Sequence, residues 1–528
     1  MSDKKIPYET GQAPLQHENH EKPVTRRDFL AQGLVSGGAF VAVPSIFAGL
    51  LKPGKVEARV EQLADCGISI GASGKAAFMC FDLAGGANLA GSNAIVGSNL
   101  QTDLLPAVAY ENMGLPAAIN PNVAGMVVDI NGAANPAVGQ LAFHAESALL
   151  RGIQNAATPA TLANVNGSVI CARSSNDTGN NPHNPVYGIN NAGASGSIVN
   201  IVGTRASSAD NNAGGRSQAP TSMYDATRLP TKVSSTNEAR SLADTGALGT
   251  LLPTAAERDA LVQAVENISD RKIDLVNTDA TVGNSVNKVL SCGYQVASNT
   301  VGGATSDDLD PSKDANITTI MTAMDANADK SLNNGTRSLG NSEYARTAAT
   351  MKLTIGGFAG AATVQLGGFD YHNNKRLRGE QRDEKAGECI GMALEFARLS
   401  ARKTMIYIFS DGSVSGNGTV DPELVAANGQ SKYGWRGDSS TRGAAIMLVY
   451  DPVAQPVMRR NQVGSFKTTG TVETAANPAS SNVDVLAETV VLNYLAINND
   501  VGSVATVLPN NGLGDTASID ALIAFEPV

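Results

Sequence analysis

Asp370 and His372 stand two positions apart in the segment "LGGFDYHNNKRL", residues 366–377. The apolar run before them predicts a strand that ends in two glycines, and residues i and i+2 of an extended chain point to the same side. The carboxylate and the imidazole are therefore able to face one ion. A carboxylate with an imidazole suits zinc, manganese or iron, whereas carboxylates alone suit magnesium or calcium. The alternative interpretation is a capped turn with a solvent-facing histidine.

Two more carboxylates follow apolar runs elsewhere in the chain. Asp82 falls at the end of "KAAFMCFDLAGG", residues 75–86, and Asp411 closes "TMIYIFSDG", residues 404–412. Both runs predict buried strands. Ligands of an α/β sheet collect at the carboxyl ends of its strands, so these two carboxylates are candidates to join the first pair.

The elements that must position these residues alternate along the chain. Strands that are apolar throughout are separated by helical patterns, which predicts an α/β fold with a mainly parallel sheet flanked by helices. One such domain is expected over 70–528, with the polar segment 205–345 as an insertion or lid. The strands expected to share the sheet are 76–82, 167–172, 361–367, 404–410 and 443–450, and the expected helices include 137–153, 342–358, 383–403 and 483–497.

The start of the chain carries a different signal. Arg26 and Arg27 precede a short, glycine-broken apolar stretch, 34–51, in "VTRRDFLAQGLVSGGAFVAVPSIFAGLL". This order predicts a twin-arginine export signal with its linker over 1–58, recognised by the twin-arginine export machinery. The stretch is shorter than a permanent membrane span usually is, so a periplasmic or secreted protein is expected. The alternative interpretation is a buried or amphipathic helix flanked by two arginines.

The composition argues against some classes of partner. The 528 residues carry a net charge of −10 and no long basic run, which disfavours nucleic acid. The hydrophobic fraction of 42% suits a globular core. The five cysteines form no CxxC pair, and their spacing fits no zinc ribbon.

Several segments, taken in order, resemble those of a known family. They are the Thr-Arg-Arg-Asp-Phe-Leu run, "FDLAGGAN", "FHAESALL", "NNPHNP", "GGFDYHNN" and "IFSDG". In this order the chain resembles the bacterial domain-of-unknown-function 1501 family over most of 25–510. That family resembles the alkaline phosphatase and sulfatase superfamily in fold, so the resemblance implies an alkaline-phosphatase-like scaffold.

The resemblance also implies a site. It would hold one or two divalent metal ions (zinc, manganese, magnesium or calcium) that bind a small anionic ester of phosphate or sulfate. The metal would lower the pKa of a water or hydroxyl and neutralise the developing charge. Matched residue by residue, the implied metal ligands are Asp370, His372, Asp411, His183 and Asp438, and Asp82, at the end of the first strand, is the sixth candidate ligand.

This chain departs from the family pattern at two places. Ser439 follows Asp438 where the family has a histidine. In the first glycine loop, Asn88 stands where the family has an acid or a hydroxyl. Ser92 is the nearest hydroxyl and is therefore the candidate catalytic residue.

The number of histidines limits the kind of metal site. Beyond the signal the chain has His144, His183 and His372, and His144, on the expected helix 137–153, is interpreted as a packed or capping residue. A two-zinc phosphatase site needs about three histidines beside its carboxylates. A single hard-metal site, or a degenerate site, fits this sequence better.

Two functions remain open from the sequence. The first is an exported metal-dependent hydrolase of phosphate or sulfate esters, favoured by Asp370, His372, Asp411 and His183. The second is a non-catalytic exported binding, secretion-associated or structural protein with a degenerate metal site. The absent histidine and the missing nucleophile of the family pattern favour the second.

Overall fold

The computed structural model describes most of the chain after the predicted export signal. That signal with its linker, 1–58, and His372 lie outside the described residues. The described residues belong to one compact unit, 62–528, while the boundary at 70 and the role of 205–345 stay predictions. The structure describes residues 74–174, 181–205, 212–226, 228–244, 251–252, 254–275, 294, 304–327, 331–333, 335–371, 375–423 and 431–528.

The strands of the described chain form one large sheet and two small ones. The strands are β1 (Ala77–Ala84), β2 (Val127–Val128), β3 (Phe143–His144), β4 (Val165–Cys171), β5 (Val199–Gly203), β6 (Thr231–Lys232), β7 (Ala359–Gly367), β8 (Thr404–Phe409), β9 (Val414–Val420), β10 (Tyr433–Asp438), β11 (Ala444–Tyr450) and β12 (Gln462–Val463). The eight-stranded sheet has the order β12-β4-β11-β8-β1-β7-β5-β6, and the small sheets pair β9 with β10 and β2 with β3.

The large sheet is mainly parallel. Only β11 runs against its neighbours, β4 and β8; the other described pairs of this sheet are parallel. The five strands expected from the sequence correspond to β1, β4, β7, β8 and β11, and all of them lie in this sheet. The expectation of an α/β fold with a mainly parallel sheet is confirmed.

Helices cover both faces of the sheet. They are α1 (Ala107–Asn112), α2 (Ala148–Ala156), α3 (Pro159–Leu162), α4 (Val186–Asn191), α5 (Thr236–Ser241), α6 (Ala255–Leu275), α7 (Ala315–Ala326), α8 (Ser342–Ile355), α9 (Arg376–Leu399), α10 (Pro478–Ser481), α11 (Val483–Ile497), α12 (Val504–Val507) and α13 (Thr516–Leu522). The apolar residues of α2, α7, α8 and α9 share one core, and those of α4, α11 and α13 share another. Among the described residues, no helix is both long enough and apolar enough to cross a bilayer.

The central strand β1 shows how the two cores arise. All eight of its residues are buried. Met79 and Phe81 face the core beneath α9, and Phe78 and Cys80 face the core beneath α11, because successive side chains point to opposite faces. Asp82 is the next residue on the second face. The sequence of a strand that is buried on both faces is a nearly continuous apolar run. This run is the feature from which β1 was predicted.

Two predicted helices have different bounds. The helix expected over 137–153 begins only at Ala148, where Ser147 caps it by accepting a hydrogen bond from Leu150 N. Gly139 has a φ of 89°, which a helix does not allow, so the apolar spacing before it does not continue as a helix. His144 therefore lies in β3. The helix expected over 383–403 begins one to two turns earlier, in α9.

Candidate functional site

Asp82 and Asp411 both lie at the carboxyl edge of the sheet, where the neighbouring parallel strands β1 and β8 end. β1 and β8 are neighbours, and Asp82 lies level with Phe409 in their register. Asp411 follows Phe409 by two residues. The negative charge of Asp411 contributes to raising the pKa of Asp82, so the two carboxylates repel each other across the strand ends.

Asp82 is held in place by a loop that follows β5. It is 3% exposed, and its Oδ2 accepts hydrogen bonds from Arg216 N at 2.7 Å, Ser217 N at 3.0 Å and Ser217 Oγ at 3.2 Å. Burial raises its pKa to about 6, against the effect of the Ser217 and Arg216 amides. A Cβ at Gly215 would lie 2.5 Å from Oδ2, so only glycine lets the loop approach this closely.

Asp411 is tied to the glycine pair after β1. Its Oδ1 accepts a hydrogen bond from Gly85 N at 2.7 Å, and its carbonyl oxygen accepts one from Ser174 Oγ. The next two amides of the loop, Gly86 N and Ala87 N, donate to Ser410 Oγ at 3.2 and 2.8 Å. The ends of β1 and β8 are therefore joined by hydrogen bonds that orient the Asp411 carboxylate.

The corner after β7 passes against the same glycine loop. A Cβ at Gly85 would lie 2.7 Å from Asp370 N, and Gly85 has a φ of 128°. Glycine is required here for both reasons. The backbone of Asp370 thus lies beside the loop that binds Asp411, and Asp370 itself is exposed. The other half of the predicted pair, His372, lies outside the described residues.

His183 is buried next to the end of β8. It is 2% exposed, and its ring centroid lies 5.9 Å from that of Phe409. Burial lowers its pKa to about 3, so the imidazole is neutral at physiological pH. Its Nδ1 has no hydrogen-bond partner among the described residues. Two residues earlier, Asn181 Nδ2 lies 3.5 Å from the Asp411 carbonyl oxygen, so this segment borders the site.

Ser92 and Asp438 occupy other surroundings. Ser92 is buried, and its hydroxyl accepts a hydrogen bond from Lys432 Nζ at 3.0 Å. Lys432 is ion-paired with Glu380 at 2.6 Å, so its ammonium is committed as a donor and cannot take the serine proton. Asp438 ends β10 and pairs with Val414 of β9; only its backbone is described.

The network that contains Lys432 was not foreseen from the sequence. Besides Lys432 it holds Arg376, which contacts Glu380 at 3.4 Å and Asp421 at 3.6 Å, and all four residues are buried. The segment "RLRGEQRDEK" at the start of α9 has the charge pattern of a solvated helix face. The one available signal was that opposite charges recur there at a spacing of four residues, which allows pairing.

His144 is a satisfied core residue, as expected from the sequence. Its Nε2 lies 2.6 Å from the carbonyl oxygen of Ile119, and its Nδ1 accepts a hydrogen bond from Glu146 N at 3.1 Å. Both ring nitrogens are occupied, so this histidine is not available to a metal.

The donor chemistry at the edge fits a hard cation better than zinc. Within the described ranges, no group of three or more His, Cys, Asp and Glu side chains is placed to hold a metal ion. Asp82 and Asp411 supply carboxylate oxygens, the ligands that magnesium, manganese and calcium prefer. A cation would also relieve the repulsion between the two carboxylates.

The fold and this edge define an α/β protein with an acidic pair at the carboxyl ends of its central strands. Comparison of the sequence with known protein families and with curated proteins found no match. The resemblance to the domain-of-unknown-function 1501 family stays a prediction.

Proposed function

We propose that the chain is an exported protein that binds one hard divalent cation at the carboxyl edge of its sheet and hydrolyses a phosphate or sulfate ester there. The observation that carries this proposal is the pair formed by Asp82 and Asp411, two oriented carboxylates at the end of neighbouring central strands. The proposal also includes the alkaline-phosphatase-like scaffold and the twin-arginine signal, which are predictions made from the sequence.

Each residue has a role in this proposal. Asp82 and Asp411 hold the cation, and Asp370 and His372 supply further donors from the corner after β7. The Ser217 and Gly85 amides fix the two carboxylates before any ligand arrives, which removes part of the ordering cost of binding. A bound cation would lower the pKa of a water and neutralise charge on the ester.

The second candidate is a binding protein without catalysis. It is favoured by the position of Ser92, whose hydroxyl is enclosed with Lys432 and Glu380 instead of facing the acidic pair. In that case the edge would bind the cation and an anionic ligand, and the protein would serve an exported binding, secretion-associated or structural role.

Manganese binding tests the proposal. We expect Asp411→Asn to weaken Mn²⁺ binding, measured by calorimetry on the full chain, by about tenfold or more, since it removes a charged ligand. Asp451→Asn is the matched control, because Asp451 is also buried but follows β11 at the opposite edge. Equal Mn²⁺ binding by wild type and Asp411→Asn, or none by either, would contradict the proposal.

Hydrolysis of p-nitrophenyl phosphate and p-nitrophenyl sulfate by the same preparations separates the two candidates. Turnover by the wild type that falls with Asp411→Asn and persists in Asp451→Asn supports the hydrolase. Manganese binding without turnover of either ester supports the binding protein.

A further inference from the structure

Asp383, a buried carboxyl group of α9, is bound by two of the segments that border the candidate site. Its Oδ1 accepts a hydrogen bond from Tyr371 OH at 2.5 Å, and its Oδ2 accepts one from Asn93 Nδ2 at 3.0 Å. Tyr371 lies in the corner after β7 and directly follows Asp370. Asn93 follows the glycine loop after β1. Each oxygen of this carboxyl group therefore holds a different segment.

Asn93 passes its contact on to the glycine loop. Its Nδ2 also donates to the Asn88 carbonyl oxygen at 2.7 Å, and its Oδ1 accepts two hydrogen bonds from the start of α2. The side-chain amide is therefore fixed from both ends. Asn88 lies three residues after Gly85, whose amide donates to the Asp411 carboxylate at 2.7 Å. Hydrogen bonds within one short loop thus connect Asp383 to the segment that orients Asp411.

The two segments held by Asp383 also touch each other. A Cβ at Gly85 would lie 2.7 Å from Asp370 N, so the corner passes directly against the glycine loop. In the proposed site, Asp411 binds the cation from the side of the loop and Asp370 from the side of the corner. A change in either hydrogen bond of Asp383 would therefore change how these two ligands face each other.

Both hydrogen bonds favour the ionised form of Asp383. A carboxylate accepts at both oxygens, whereas a protonated carboxyl group has one oxygen that acts as a donor, and the Nδ2 of Asn93 is unable to accept. Burial raises the pKa of Asp383 to about 7, and the hydrogen bonds from Tyr371 and Asn93 oppose that shift. By linkage, a bound proton weakens both bonds. Among the charged groups nearby, Glu380 of α9 also raises this pKa, and Lys432, just before β10, lowers it.

We propose that Asp383 is a positioning residue of the cation site: its carboxylate holds the corner after β7 against the glycine loop, and protonation of Asp383 loosens this arrangement and weakens cation binding. The inference rests on the proposed function for its cation. It adds regulation by pH, exerted by a group that acts on the site through Tyr371 and Asn93 and does not itself bind the ion.

The first test is Mn²⁺ binding to the full chain, measured by calorimetry from pH 6 to pH 8. The dissociation constant of Asp383→Asn divided by that of the wild type is expected to rise about fivefold over this range, because only the wild type gains the carboxylate. Titration of Asp82 occurs in both proteins and cancels in this ratio.

A second variant removes one of the two hydrogen bonds. Tyr371→Phe is expected to weaken Mn²⁺ binding by about fivefold at pH 8 and by less at pH 6. Tyr344→Phe is the matched control. Tyr344 is also buried, and its hydroxyl also donates to a buried carboxylate of α9, that of Glu388, but it lies in α8 and not in the corner.

The single tryptophan of the chain gives a readout that needs no cation. The ring centroid of Trp435 lies 5.0 Å from that of Tyr371, so its fluorescence reports on the corner. We expect the emission of the wild type to change in a step near pH 7. The step should be absent from Asp383→Asn and retained in Tyr344→Phe.

The outcomes separate this inference from the proposed function. A ratio of dissociation constants that is constant from pH 6 to pH 8, or equal weakening by Tyr371→Phe and Tyr344→Phe, overturns the role of Asp383. Absence of Mn²⁺ binding by the wild type contradicts the proposed function, and fluorescence then decides on Asp383: a step that Asp383→Asn removes supports its hold on the corner, and no step overturns it. Thermal unfolding identifies any variant that has lost the fold. If Asp383→Asn is one of them, Tyr371→Phe takes its place in both measurements.

Discussion

Asp383 is a carboxyl group whose chemistry is set by burial. It is 1% exposed, and its oxygens accept hydrogen bonds from Tyr371 OH at 2.5 Å and from Asn93 Nδ2 at 3.0 Å. Burial raises its pKa to about 7 from the ordinary 3.8, although both hydrogen bonds oppose the shift. Through these hydrogen bonds Asp383, which lies in α9, connects this helix to the glycine loop after β1 and to the corner after β7. All three parts border the candidate site.

The raised pKa of Asp383 predicts a pH-dependent stability. Between pH 4 and 7 the folded chain keeps a proton that the unfolded chain releases, so the stabilisation present below pH 4 is lost as the pH rises through 7. Asp383→Asn removes the titrating group. We expect the difference in unfolding free energy between wild type and Asp383→Asn to change across this window with a slope of up to about 1.4 kcal/mol per pH unit, measured by urea unfolding. A difference that is constant from pH 4 to 8 would contradict the assignment.

At the scale of elements, α9 is the helix on which the first core is built. It crosses α2 at very short range because glycines line both helices at the crossing. A Cβ at Gly152 would lie 2.0 Å from the Glu384 carbonyl oxygen, and one at Gly387 would lie 2.1 Å from the Leu149 carbonyl oxygen. Such contacts are impossible for any residue with a side chain, so these glycines set the distance between the two helices.

Gly387→Ala is expected to destabilise the protein. The new methyl group must push α2 and α9 apart, at a cost of about 1–3 kcal/mol, which exceeds the gain of about 1 kcal/mol in helix propensity from replacing glycine. The measurement is the free energy of unfolding in urea. Gly502→Ala serves as the control, because nothing lies within 4 Å of a Cβ at Gly502. A stabilised Gly387→Ala variant would show that the helices are not in contact there.

At the scale of the whole molecule, the sequence predicts delivery outside the cytoplasm. We expect a double change, Arg26→Lys with Arg27→Lys, to leave the protein in the cytoplasm of a bacterial host, because the paired arginines are the recognised feature of the signal. Cell fractionation followed by immunodetection measures the distribution. Arg240→Lys in α5 is the conservative control, and undiminished periplasmic delivery of the double variant would refute the signal.

Much of the sheet was predictable because its strands are buried on both faces. β1, β8 and β11 are almost entirely apolar, so the apolar runs located them, and the strand ends then pointed to Asp82 and Asp411. The helix α9 was misjudged at its start because its acids resemble a solvated face. The burial of acids further along α9 was also not foreseen: the partners of Glu388, Arg337 and Tyr344, come from distant segments, and spacing along the chain does not reveal them.

The order of the strands in the sheet determines when the chain is able to fold during its synthesis. β1 is made early, yet its neighbours are β7 and β8: Phe78 pairs with Ala361, and Ala77 with Thr404. More than half of the protein must leave the ribosome before the central strand gains both partners, a wait on the order of tens of seconds at usual elongation rates. Contacts this distant in sequence also form slowly. The twin-arginine route predicted for this protein exports folded proteins. The signal would leave the ribosome first, whereas the rest of the chain would be folded, and ready for export, only late in synthesis. A chaperone that shields the signal and β1 during that interval would prevent premature targeting and aggregation.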